Sequence, residues 1–115
     1  MLYSELDTPA VVVDLDVLDA NIERMADLAR RAGVRVRPHA KSHKSAWIGR
    51  RQIEAGASGL TVAKLGEAEA FAAAGINDVL IAYPIVGTSK LVRLRALAER
   101  IRVITVLDDA SVAEG

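Results

Sequence analysis

Cysteine is absent from all 115 residues, so disulfides, thiol nucleophiles and zinc–thiolate sites are excluded. That absence leans toward a reducing compartment, and the cytoplasm is the expected location. Aromatic residues make up only 3% of the chain, so any core must be assembled from Ala, Val, Leu and Ile. An excess of one charge is also missing, with 15 basic and 15 acidic residues. A neutral chain has no general pull toward nucleic acid or an anionic membrane, and neither is expected as a partner. No apolar run approaches the roughly 18 residues that a membrane span needs. The N-terminal stretch MLYSELDTPA carries two acidic residues and no basic one, unlike the start of a secretory signal.

What is present is a soluble balance, 51% hydrophobic and 26% charged, arranged as alternating strand and helix patterns. The aliphatic run from Ala10 to Leu15 reads as a strand. Asp16 is placed to cap a helix with Asp19 in its first turn. Leu18, Ile22, Met25 and Ala29 make one apolar face of that helix, and Gly33 ends it. Strands are then expected at Val34 to Ala40, Gly59 to Ala63, Val79 to Tyr83 and Arg102 to Leu107. Between them lie helices at Ser45 to Ala55, at Leu65 to Ala74, and from Thr88 or Ser89 through Leu91, Leu94, Leu97 and Ala98. Asp108 or Asp109 caps a further helix that has scarcely begun at Gly115.

The strand centres recur at intervals of about 20 to 25 residues, the rhythm of βα units in a parallel sheet. An open doubly wound sheet and a (β/α)8 barrel both fit. A complete barrel takes about 250 residues, so the expectation is an α/β fold made of alternating βα units of a partial, truncated TIM-type barrel. Such a fragment would leave two unpaired sheet edges and an open core, and alone it should be poorly stable or self-associate.

The chemistry concentrates in Val34 to Lys44, VRVRPHAKSHK. On a strand, Val34, Val36, Pro38 and Ala40 share an apolar face, and Arg35, Arg37, His39 and Lys41 share the other. Basic groups on the inner face of a parallel sheet make sense near the C-terminal end, where α/β enzymes place their sites. Desolvation and neighbouring positive charge from Arg37, His39, His43 and Lys44 would favour an unprotonated, nucleophilic Lys41 amine. Such an amine can form a Schiff base with an aldehyde, of which pyridoxal phosphate is the usual one. A solvated basic loop or a phosphate-binding patch would show the same pattern. His39 and His43 have the i, i+4 spacing of a helical metal pair, but Pro38 and the preceding strand disfavour a helix there and no third ligand is evident, so no metal site is expected.

Lys64 ends a strand and is the second Schiff-base candidate beside its reading as a surface lysine. Tyr83 is placed to touch a cofactor at the mouth of the sheet, or to sit buried with its hydroxyl at the rim. Gly87-Thr88-Ser89 begins a helix, where anion binding and simple capping are both available. Glu67 and Glu69 favour the dipole of a first helical turn, with no chemistry assigned. Trp47, the one tryptophan, reads as a core or interface anchor.

The segment Asp7-Thr8-Pro9-Ala10-Val11-Val12-Val13-Asp14-Leu15, then Asn21, then Arg37-Pro38-His39-Ala40-Lys41-Ser42-His43-Lys44, resembles the start of the D-threonine aldolase and D-serine dehydratase family. The likeness continues through Gly59-Leu60-Thr61-Val62-Ala63-Lys64, Glu67-Ala68, Ala73-Ala74-Gly75-Ile76 and Asp78. These are fold-type III, alanine-racemase-like enzymes. The resemblance implies pyridoxal phosphate held by the first lysine of the R-P-H-x-K-x-H-K string, which is Lys41 here; Arg37, His39 and Tyr83 are expected from their positions as further cofactor contacts. It implies a D-amino acid substrate, retro-aldol cleavage of a D-3-hydroxy amino acid to glycine and an aldehyde, and a homodimer of the complete enzyme. It also implies that the strand at residues 10–15 joins a separate β domain, that phosphate-binding loops lie on later barrel strands, and that a divalent metal is held in a C-terminal domain. Family members are about three times as long as this chain, so by this resemblance it is their N-terminal half of the barrel and inactive alone. D-serine dehydratase, an amino-acid racemase, a non-catalytic pyridoxal-phosphate-binding protein and a cofactor-free α/β domain remain alternatives at this stage.

Overall fold

The computed structural model describes residues 3–111. After a 3-10 turn at Tyr3–Glu5 the elements run α1 (Leu15–Ala32), α2 (Ala46–Glu54), β1 (Leu60–Val62), α3 (Leu65–Ala73), β2 (Asp78–Ile81), α4 (Thr88–Ala98) and β3 (Arg102–Thr105). The three strands form one parallel sheet in the order β1-β2-β3. A doubly wound sheet reverses its strand order at a switch point, whereas a barrel advances one strand at a time. The sequential order of these three strands fits a barrel segment and equally one half of a doubly wound sheet before its switch point.

Burial separates the two faces of this sheet. Leu60 stands beside Val79 and Val103, and Val62 beside Ile81 and Thr105. Leu60, Val62, Val79 and Ile81 are completely sealed under Leu65, Ala68 and Phe71 of α3 and Leu97 of α4. Each sealed aliphatic side chain contributes about 1.5–3 kcal/mol of hydrophobic stabilisation. The absence of a side chain on Gly49 lets α2 join this layer, because a Cβ there would meet Leu60 Cδ1 at 2.8 Å. The other face carries the row Thr61, Leu80, Ile104, all only half-buried, and no helix covers it among the described residues. One covered face and one bare face is the arrangement of a barrel wall cut from its ring.

Two expected strands are altered. From residue 10 to 14 there is no regular structure and no pairing, and Val11 is 97% exposed. This aliphatic run has no sheet edge beside it among the described residues, and an isolated strand does not hold itself together. Asp14, not Asp16, caps α1, its carboxylate accepting the Val17 N–H at 3.1 Å, so Asp16 becomes the first-turn acid. Gly33 closes the helix in a left-handed conformation, as expected.

The second altered strand is Val34 to Ala40, which makes only a parallel bridge, His39 to Thr61. Thr61 N–H donates to Pro38 O, and Ala40 N–H to Thr61 O, both at 2.8 Å. The next rung toward the strand's start would need an N–H on Pro38 to reach Gly59 O, and proline has none. Ser58 takes Val36 O instead, through its N–H at 2.9 Å and its hydroxyl at 3.1 Å. The segment therefore occupies the place of a first barrel strand while pairing at a single bridge. The helix expected after Asp108 or Asp109 falls mainly on residues outside the described ones; Asp109 does accept the Ser111 N–H at 2.7 Å.

Candidate active site

His39 shares a face with Thr61, because bridged residues in a parallel pair lie side by side. The chain then turns, so Lys41 sits two residues beyond the bridge at the C-terminal edge of the sheet. This turn is fixed at several points. Ala40 is 1% exposed, Lys44 N–H donates back to Ala40 O at 2.8 Å, and the Lys41 N–H donates to His39 Nδ1 at 3.2 Å. With Nδ1 accepting, the hydrogen of a neutral His39 ring resides on Nε2. The Lys41 side chain is exposed, and among the described residues its amine makes no hydrogen bond or ion pair.

The neighbouring lysines differ. Lys44 Nζ pairs with Glu67 Oε1 at 3.3 Å. The other Glu67 oxygen accepts the Ala63 N–H at 2.8 Å. Burial raises the Glu67 pKa, but the Ala63 N–H and the Lys44 ammonium outweigh it and hold the carboxyl below its ordinary value. Lys64 caps α3 in an extended conformation, with no side-chain cap bond. Tyr83 follows the end of β2 at the same sheet edge and is 56% exposed, so its ring is not the buried aromatic of one expectation.

Arg37 lies elsewhere. Its Nη1 donates to Asp78 Oδ1 at 2.8 Å, and Arg102 Nη1 donates to Asp78 Oδ2 at 2.8 Å. Asp78 and Arg102 are the first residues of β2 and β3, so this Arg–Asp–Arg cluster marks the N-terminal edge, opposite Lys41. Gly59 makes room for it, since a Cβ there would fall 2.1 Å from Arg37 Nη1. The structure brings Lys41 and His39 together, places Tyr83 along the same edge, and sets Arg37 apart.

His43 is held within its own turn. Its Nδ1 accepts the Ser45 N–H at 3.0 Å, while Ser45 Oγ accepts the Ile48 N–H to cap α2. Among the described residues, no group of three or more His, Asp or Glu side chains is placed to hold a metal ion. Trp47, expected as a core or interface anchor, is 43% exposed beneath the Arg51 guanidinium, 4.8 Å from the ring centre. Arg51 in turn pairs with Asp19 across to α1. Gly87-Thr88-Ser89 does begin α4, with Gly87 as its cap and no capping side chain. A cavity of about 470 Å³ lies away from Lys41, between α1 and the segment 34–38, walled by Leu18, Ile22, Met25, Val34 and Val36.

Residues 13–114 match the family model described as alanine racemase, N-terminal domain. The chain belongs to this family. Within the alanine racemase N-terminal domain family, it is 41% identical over 107 residues to a D-threonine aldolase of Arthrobacter sp., covering 93% of this chain and 28% of that protein. It is 53% identical over 77 residues to D-threo-3-hydroxyaspartate dehydratase of Delftia sp. (strain HT23), covering 67% of this chain and 20% of that protein. The crystal structure of D-threonine aldolase from Filomicrobium marinum superposes with a TM-score of 0.95 at 44% identity, covering 97% of this chain and 30% of that one. The chain thus spans less than a third of the length of these relatives. Their likeness confirms the partial barrel and the family resemblance.

One feature of the site escaped the sequence reading. Glu67 was read as a first-turn acid and as part of the family likeness, with no chemistry assigned, yet it joins the loop after β1 to the turn carrying Lys41. Its spacing to Lys44 is long-range, and no periodic pattern announces such a pair.

Proposed function

We propose that this chain is the lysine-bearing part of a pyridoxal-phosphate-dependent lyase acting on D-amino acids, with Lys41 as the residue that carries the cofactor. The observation that supports this most is the Lys41 amine, unpaired among the described residues and standing on a fixed turn at the C-terminal edge of a parallel sheet. A primary amine that reacts with an aldehyde must be accessible and free of a carboxylate partner, and Lys41 meets that requirement where Lys44 does not. When bound, pyridoxal phosphate supplies an electron sink for carbanion chemistry at the amino acid Cα.

His39 orients the turn by accepting the Lys41 N–H, and Tyr83 is the chain's aromatic contact at the mouth. Arg37 is committed to Asp78 and is left out of the cofactor set. A retro-aldol cleavage of a D-3-hydroxy amino acid is the favoured reaction, in keeping with the aldolase relatives. β-Elimination is the second reading, favoured by the 53% identity to a hydroxyaspartate dehydratase. In the intact protein, a homodimer, a cytoplasmic location, a divalent metal bound outside these residues, and a separate β domain that receives residues 10–15 complete the reading.

The test is an absorption spectrum of the intact protein after adding pyridoxal phosphate, beside Lys41→Ala. A visible band that borohydride reduces, absent from the variant, is expected. No band in the wild type ends the enzyme reading, and a band that survives in Lys41→Ala moves the role to another lysine, Lys64 first. Release of glycine or of ammonia from D-threonine, D-threo-3-hydroxyaspartate and D-serine then separates the two reactions.

A further inference from the structure

Lys41 occupies the second position of a closed five-residue turn, Ala40 to Lys44, whose ends are joined by the Lys44 N–H to Ala40 O bond of 2.8 Å. The Ala40 end is anchored to the sheet, buried and donating to Thr61 O. The Lys44 end has no such anchor in the backbone. Lys44 instead takes a left-handed conformation, φ 49°, where a lysine gains nothing from its side chain. Such a conformation persists where surroundings hold it, and sites of this kind gather near function.

Beyond the turn, the Lys44 side chain is linked to Glu67. The Glu67 side chain is 10% exposed, an uncommon degree of burial for a carboxylate, and both oxygens are satisfied. One binds the Ala63 N–H, immediately after β1, and the other binds Lys44 Nζ. A single carboxylate therefore spans two neighbouring loops at the edge of the sheet where Lys41 stands. We infer that Lys44 and Glu67 are a positioning pair, clamping the Lys41 turn to the loop after β1 so that the Lys41 amine meets an aldehyde in a fixed approach. This rests on the reading of Lys41 as the cofactor-bearing residue. Fixing the base of a nucleophile matters because small misplacements of a reacting group cost large factors in rate.

The experiment uses the intact protein stripped of cofactor, as wild type, Lys44→Met, Glu67→Gln, the double variant and Lys44→Arg. Pyridoxal phosphate is added, and the rate of forming a borohydride-reducible adduct, mapped to the Lys41 peptide, is measured per folded molecule. Thermal melting runs beside it. Lys44 is exposed enough that its variants should fold. Each single neutralising variant is expected to slow capture about tenfold, the double to be no slower than the slower single, and Lys44→Arg to restore most of the rate. Singles that capture at the wild-type rate, or a double in which the two losses multiply, overturn the pair while leaving Lys41 in place. A wild type that traps nothing at Lys41 overturns the reading of Lys41 itself and the pair with it.

Discussion

The two faces of the sheet obey different rules. On the helix side, Leu60, Val62, Val79 and Ile81 are closed off from water, and no polar or charged residue is buried among the described residues. On the bare side the same sheet carries Asp78 and Arg102 at one edge, with Lys41, Lys64 and Tyr83 toward the other. The covered face is governed by volume, since a close-packed layer has little room to absorb a change. The bare face is governed by pairing, since its side chains are charged or half-exposed and gain little from burial. The fold is held by the first, and the chemistry is offered by the second.

The sharpest way to test that division is to truncate the covered face. Ile81→Ala is expected to cost about 2–5 kcal/mol, because the removed methyl and methylene groups leave a cavity that the surrounding helices cannot fill. Urea denaturation of the intact protein reads this directly. A loss below about 1 kcal/mol would mean that the layer collapses around the gap, and that volume does not govern this face.

The matching change on the bare face is Asp78→Asn. It leaves Arg37 and Arg102 without their shared carboxylate and is expected to cost about 1–3 kcal/mol at neutral pH. Burial raises the Asp78 pKa, but the hydrogen bonds from Arg37 and Arg102 outweigh it and hold it below the ordinary value of 3.8. A carboxyl depressed in the folded state stabilises fully above its unfolded pKa and loses that contribution as pH falls through the folded value. The gap between wild type and Asp78→Asn should therefore be widest at neutral pH and narrow below about pH 4. A gap that stays constant down to pH 2 would assign the cost to lost shape and not to charge. Lys41 capture should change little, since this cluster sits at the opposite edge.

Most of the covered face could be read from the sequence, because aliphatic runs spaced by βα units announce buried parallel strands. Gly59 to Ala63 and Arg102 to Leu107 contain β1 and β3, each two residues shorter than expected, while β2 begins one residue before the expected Val79 to Tyr83 and ends two residues before its close. The failures have local physical causes. Residues 10–14 carry strand-forming side chains but no neighbour, and a strand is a property of a pair. Val34 to Ala40 shrinks to a bridge because Pro38 cannot donate the next rung. On the bare face, alternation correctly put Arg37 and His39 on one side, but strand position alone did not reveal that Arg37 reaches Asp78, 41 residues on. The Lys41 turn was legible as a basic cluster and through family likeness. Its bracing by Glu67 was not, because that contact depends on how two loops are brought together.

The smallest expected effect lies where the two faces meet, at His43 on the turn that leads into α2. Burial lowers its pKa below 6.5, with Gln52 and the Ser45 N–H pulling the other way. Its Nε2 and Gln52 Oε1 are both buried without a hydrogen-bond partner among the described residues, and burial is the larger influence on the ring. The folded state thus binds fewer protons at this position than the unfolded chain. Stability should fall as pH drops below about 6.5 and level off below the folded pKa. His43→Asn offers an amide oxygen for the Ser45 N–H but cannot titrate, and it should flatten that slope between about pH 7 and pH 5. Melting curves of wild type and variant across that range decide it. Parallel slopes would mean that the ring is charged in the fold without penalty, and that the turn under Lys41 keeps its shape in acid.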